Sequence, residues 1–105
     1  MKAIYDIVIT NPAEEDLFEI GRYISKELLE PDTARRHISR IADAISTLEN
    51  RPLRATLIND ARLAQVGIRS IIVDHYFIFY IVSEKIKTVT IIRVLNSRRD
   101  WQNLL

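Results

Sequence analysis

Hydrophobic positions along the chain change period three times. Residues 4–9, "IYDIVI", read as a strand, and "NPAEED" then supplies a helix start. Asn11 is expected to cap this helix, with Pro12 at its first position, Glu14 reaching back to the cap and further acids complementing the dipole. Ala13, Leu17, Ile20, Ile24 and Leu28 then share one apolar stripe, with Glu15, Glu19, Arg22 and Lys26 off it. Pro31 stops the helix and opens another. In the second helix Ala34, Ile38, Ile41, Ile45 and Leu48 fall in line, Arg35, Arg36, Arg40 and Asp43 mostly face water, and Pro52 marks the end. So short a connection predicts an antiparallel helical hairpin with both stripes turned towards one surface.

Residues 51–65 lack a clear period and carry Arg51, Arg54 and Arg62, which predicts a basic loop with a weak helical turn. Strands are then expected at 68–73, 76–82 and 88–95, forming a meander, although neither connecting turn holds the glycine that tight hairpins prefer. The chain closes on a polar turn and a short tail in which Trp101, Leu104 and Leu105 can pack back. The fold class is therefore α+β: an N-terminal strand and a two-helix hairpin packed on an antiparallel sheet of about four strands.

The strand at 76–82, "YFIFYIV", is apolar on both sides. Tyr76, Ile78, Tyr80 and Val82 alternate with Phe77, Phe79 and Ile81. A helical hairpin covers one set, and burying about three large side chains there contributes on the order of 5 to 9 kcal/mol. The other set needs a second cover, because an exposed apolar patch of a few hundred square ångströms is already a liability. Either the tail and loop close that face, or a partner protein lays a helix or strand against it. The pattern does not say which set meets the helices.

Composition narrows the chemistry. With 105 residues the chain is expected to be one domain, 1–105. Fifteen basic and fourteen acidic residues leave a net charge of +1, so no whole-molecule field draws it to a polyanion or an anionic membrane. There is no cysteine and only two separated histidines, His37 and His75, so no metal site and no cofactor is implied. The apolar run in "MKAIYDIVIT" is too short for a signal peptide or membrane span, which gives the expectation of a soluble, cytoplasmic protein.

Three segments, "PAEEDLFEIGRYI", "GIRSIIVDHYFIFYIV" and "VTIIRVLNSRRDW", follow in the order and spacing of a known family. In these the chain resembles the RelE/ParE superfamily, the toxins of type II toxin-antitoxin modules. The resemblance implies a curved antiparallel sheet beneath a helical hairpin and a cognate antitoxin that wraps the toxin in a hetero-oligomer. Leu17, Ile24, Phe77, Phe79 and Ile81 are the candidate antitoxin contacts.

Two branches of that superfamily differ in target. RelE-like members cut messenger RNA in the ribosome, whereas ParE-like members inhibit DNA gyrase. Metal-free RNA cleavage needs a base for the 2′-hydroxyl, cations around the phosphorane-like transition state and an acid for the leaving oxygen. Arg69, Tyr80, Arg93 and Arg98 are the candidates here, with Tyr76 and His75 as further proton donors. Against this, Phe77 stands where RelE-like nucleases commonly carry arginine, their lysine cluster before the meander is missing, and Asn96, which cannot shuttle a proton, replaces the histidine or tyrosine of several relatives. The ParE-like branch is favoured. It asks only for long paired helices and a basic C-terminal segment, for which Arg98, Arg99 and Trp101 are the candidate target contacts. The competing roles are a surface ion pair between Arg98 and Asp100, and Trp101 as the anchor of the tail. A third reading is an inactive toxin-like module that only binds a partner.

Overall fold

The first helix begins one residue earlier than the sequence suggests. A computed structural model describes residues 4–105. In it strand β1 (Asp6–Ile9) runs into helix α1 (Asn11–Arg22), and Thr10 rather than Asn11 is the cap. The Thr10 hydroxyl accepts from the Ala13 N–H at 3.4 Å and donates to the carbonyl of Ile91 at 2.8 Å, so one side chain starts the helix and ties it to the sheet. Asn11 lacks that second partner and becomes the first helical residue, with Pro12 second.

Past Arg22 the helix widens into a π-turn at Tyr23–Glu27, in which the Leu28 N–H bonds five residues back to the Tyr23 carbonyl at 3.2 Å. Ile24 stays buried, but the extra residue per turn rotates Leu28 off the expected stripe and leaves it 52% exposed. Helix α2 (Pro31–Thr47) returns antiparallel, burying Ala34, Ile41 and Ile45, with Leu48 just beyond its end.

Three strands follow: β2 (Arg69–Val73), β3 (Tyr76–Ser83) and β4 (Thr88–Asn96). The sheet order is β1-β4-β3-β2. The meander is antiparallel as expected, but β1 lies parallel to β4, with Asp6 opposite Thr88 and Ile9 opposite Ile91. A parallel pair needs a long crossover, and the helical hairpin supplies part of it. The hairpin turns dispense with glycine because Asp74 and Lys87 take left-handed backbone angles, φ 56° and 51°, and the Arg40 Nε holds the Asp74 carboxylate at 3.1 Å.

The set that meets the helices is Tyr76, Ile78, Tyr80 and Val82, which join Ile41, Ile45, Leu48, Val89 and Ile91 in the larger core. Within it the Tyr80 hydroxyl donates to the Pro52 carbonyl at 2.7 Å, and burial pushes the phenol pKa up despite the opposing pull of Arg69 and Arg54. Tyr80→Phe should therefore lower stability by about 1 to 2 kcal/mol, because it orphans a buried carbonyl. An unchanged urea midpoint would show that bond to contribute nothing.

The second face is not left bare. Phe77, Phe79 and Ile81 lie under a smaller core built from Ile58, Leu63 and Ile68 of the preceding segment, Leu95, and Trp101, Leu104 and Leu105 of the tail. The expected basic loop holds a short helix, α3 (Ala61–Gln65), capped by Asp60, whose carboxylate accepts from the Leu63 N–H at 3.2 Å. Arg62 reaches the Gln102 carbonyl at 3.0 Å and joins this helix to the tail. Of the two covers left open for this face, the structure shows the chain's own: α3 and the tail share the work.

Candidate target-binding surface

Strand β4 decides where the charged side chains go. Val89 and Ile91 face the helices, and strict alternation would send Arg93 after them into the core. A bulge prevents this: Phe79 pairs with Arg93 while Tyr80 pairs with Ile91, leaving Ile92 as the extra residue. Beyond it Val94 turns to the helices, and Arg93 shares the other face with Phe79.

Arg93 there is fully engaged. Its Nε and Nη2 donate to the two oxygens of Asp16 at 2.7 and 2.8 Å, and its Nη1 donates to the Leu104 carbonyl at 3.2 Å. Asp16 also accepts from the Val94 N–H at 3.0 Å, on the edge of β4 that β1 no longer covers. The side chains are 24% and 11% exposed, and the Asp16 hydrogen bonds raise the guanidinium pKa above its ordinary value. Helix, strand and tail meet at this fork. Asp16→Ala should cost about 3 kcal/mol by leaving a half-buried cation unpaired, measurable as a lowered melting temperature. A loss within about 0.5 kcal/mol, the range of an ordinary surface site, would contradict the role given to this pair.

The four nuclease candidates do not converge. Arg69 and Tyr80 are cross-strand partners on the helix face, and Arg69 donates to the Ala55 carbonyl while Tyr80 holds Pro52. Arg93 lies on the opposite face, bound to Asp16. Only Arg98 is exposed, and among the described residues neither it nor Arg99 has an acidic partner. Nor does Arg98 pair with Asp100, which accepts from Asn103 Nδ2 instead, at 2.6 Å. The Arg98 N–H is held by Asn96 Oδ1 at 2.9 Å, so the turn after β4 presents both arginines to water. Trp101 belongs to the fold, its ring packed on Phe79 and Phe77 with centroids 5.5 and 5.9 Å away.

The model of the family described as the ParE toxin of type II toxin-antitoxin system, parDE, matches residues 7–101. The chain belongs to that family. This ParE-family toxin is also similar in fold to solved structures. One belongs to the chromosomal ParDE TA system from P. aeruginosa, with a TM-score of 0.73, 16% identity, and 90% of this chain and 97% of that one covered. Another comes from the toxin-antitoxin complex RelBE2 of Mycobacterium tuberculosis, with a TM-score of 0.62, 22% identity, and 90% and 92% covered. No curated protein matches the sequence.

Of the five residues expected to meet an antitoxin, Phe79 and Ile24 are buried in the ParE-family chain alone, at 0% and 5% exposure. Phe77 and Ile81 are half-buried at the margin of the smaller core. Leu17 is half-buried as well, packed on the larger core, and lines a groove of about 330 Å³ with Ile7, Ile9, Ile38 and Ala42. His37 packs edge-on to Tyr76 with its Nδ1 3.1 Å from Asp74 but out of line for a hydrogen bond; His75 lies in the turn. Among the described residues no helix is long and apolar enough to cross a membrane. Sequence reasoning missed the Asp16–Arg93 pair, whose partners are 77 positions apart; the doubled "II" at 91–92 is the one local sign of the bulge that creates it.

Proposed function

We propose that this toxin acts by binding a protein, DNA gyrase, and that a cognate antitoxin holds it inactive in a hetero-oligomer. The observation that carries this reading is the scattering of the nuclease candidates. Arg69 and Tyr80 are tied to backbone carbonyls on one face and Arg93 to Asp16 on the other, so these three do not join Arg98 around one scissile bond. Arg98 and Arg99, exposed and without acidic partners, suit contact with another protein. For the antitoxin, the groove at Leu17 offers an open apolar seat beside the free edge of β1.

Induction in cells without the antitoxin separates the readings. Growth arrest with filamentation and an SOS response is expected. Collapse of translation with cleaved transcripts would instead favour the ribosome-dependent nuclease, and undisturbed growth would favour an inactive binding module.

A further inference from the structure

Beside the two free arginines lies a cleft of about 340 Å³ between α1 and the joined ends of β3 and β4. Tyr23, Ile20, Val94 and Leu95 give it apolar walls, Tyr76 and Asn96 add polar groups, and Arg99 stands at its edge. Tyr76 and Asn96 are cross-strand neighbours, which fixes their spacing. Burial, reinforced by Asp74, pushes the Tyr76 phenol up, so it stays a neutral donor at physiological pH. The Asn96 amide spends its oxygen on the Arg98 N–H and keeps its NH₂.

The charges of this cleft are unbalanced in one direction. Asp16 and Glu19 line it, but each is matched by an arginine of its own, Arg93 at 2.7 Å and Arg22 at 3.0 Å. Arg99 has no such partner among the described residues, and Arg98 beside it has none either. A single carboxylate would complement this edge, while an apolar neighbour fills the space over Ile20 and Leu95. A polyphosphate backbone fits less well, because it would pass Asp16 and Glu19 and find little net charge, +1, to draw it in. The cleft also opens on a different flank of α1 from the Leu17 groove, so one occupant need not exclude the other.

We propose that this cleft takes an extended segment of the toxin's protein target, seating an acidic side chain at Arg99 and the adjacent apolar side chain against Tyr23, Ile20 and Leu95. Tyr23 and Arg99 then determine which target is recognised. The inference rests on the reading of the chain as a protein-binding toxin and names the chemistry of what it binds.

The test is selection from a random peptide library against the whole chain, then binding measurements and amide shift mapping with the enriched peptides. Enriched sequences should place Asp or Glu beside Leu, Phe or Tyr and shift Tyr23, Leu95, Asn96 and Arg99 together. Arg99→Glu and Tyr23→Ala should each weaken binding about tenfold, whereas Arg36→Glu, an exposed arginine on α2, should not. Equal weakening by Arg36→Glu, shifts confined to Arg98 and Arg99, or displacement of the peptide by single-stranded DNA at matching concentration would overturn the cleft. Because Arg99 is exposed, its variant keeps the test independent of any folding defect in Tyr23→Ala. An enriched peptide should also relieve inhibition of gyrase. If the toxin inhibits gyrase and the peptide does not relieve it, or if the two variants weaken antitoxin binding in place of inhibition, the assignment to the target fails. If the peptides bind at the cleft while gyrase is untouched, the cleft stands and gyrase is the wrong target.

Discussion

Replacing Phe79 by aspartate should leave no folded protein. Phe79 has no exposed surface and packs against Trp101 and Phe77 in the smaller core that Leu63 also joins. Truncating a buried phenylalanine alone costs about 3 to 5 kcal/mol. Burying an unpaired carboxylate adds several more, and together these approach the whole stability of a small domain, about 5 to 15 kcal/mol. The far-ultraviolet circular dichroism of Phe79→Asp should be that of a largely unfolded chain, with antitoxin binding lost for that reason. Phe79→Leu, which keeps the site apolar, should stay folded and bind the antitoxin as the parent does. A folded Phe79→Asp variant that merely released the antitoxin would mean that the tail does not hold this face.

The opposite behaviour is expected at the other end of the chain. Arg98→Ala combined with Arg99→Ala should abolish toxicity, with a change in stability within about 0.5 kcal/mol, as for surface sites without partners. Both side chains are exposed, neither meets a carboxylate, and the turn that carries them is held by the Asn96 side chain and backbone bonds that the substitutions leave in place. Antitoxin binding should persist, because the Leu17 groove lies elsewhere. The checks are colony formation on induction, the melting temperature, and co-purification with the antitoxin. Full toxicity of the double variant would remove this turn from the target-binding surface.

Local pattern carried most of the fold. Element types, the hairpin and the strand ends follow from proline positions and from periods of 3.6 and 2, which short-range sterics enforce. What escaped was long-range or irregular. The parallel pairing of β1 with β4 cannot be read from either strand, since both alternate alike. The π-turn that expels Leu28 and the bulge that turns Arg93 away from the helices each insert one residue into a regular period, and every position beyond them changes face. The two-faced strand was legible, yet the pattern left open whether its second cover came from the chain or from a partner, because the segment before β2 concealed a helix of five residues, too short to show a period, whose Leu63 shares the smaller core with Phe79 and Trp101. In the candidate site, Arg98 and Arg99 were legible because they stand beyond the last strand residue, where no alternation governs them. Arg93 was not, because its partner depends on the bulge.

The most direct test of a toxin that works by protein contact is DNA supercoiling by purified gyrase in the presence of the purified chain. Inhibition that rises with toxin concentration, is reversed by the antitoxin and is absent for the Arg98→Ala, Arg99→Ala variant is the predicted result. Gyrase that supercoils normally at every toxin concentration, while the same preparation cleaves messenger RNA on ribosomes, would contradict the account.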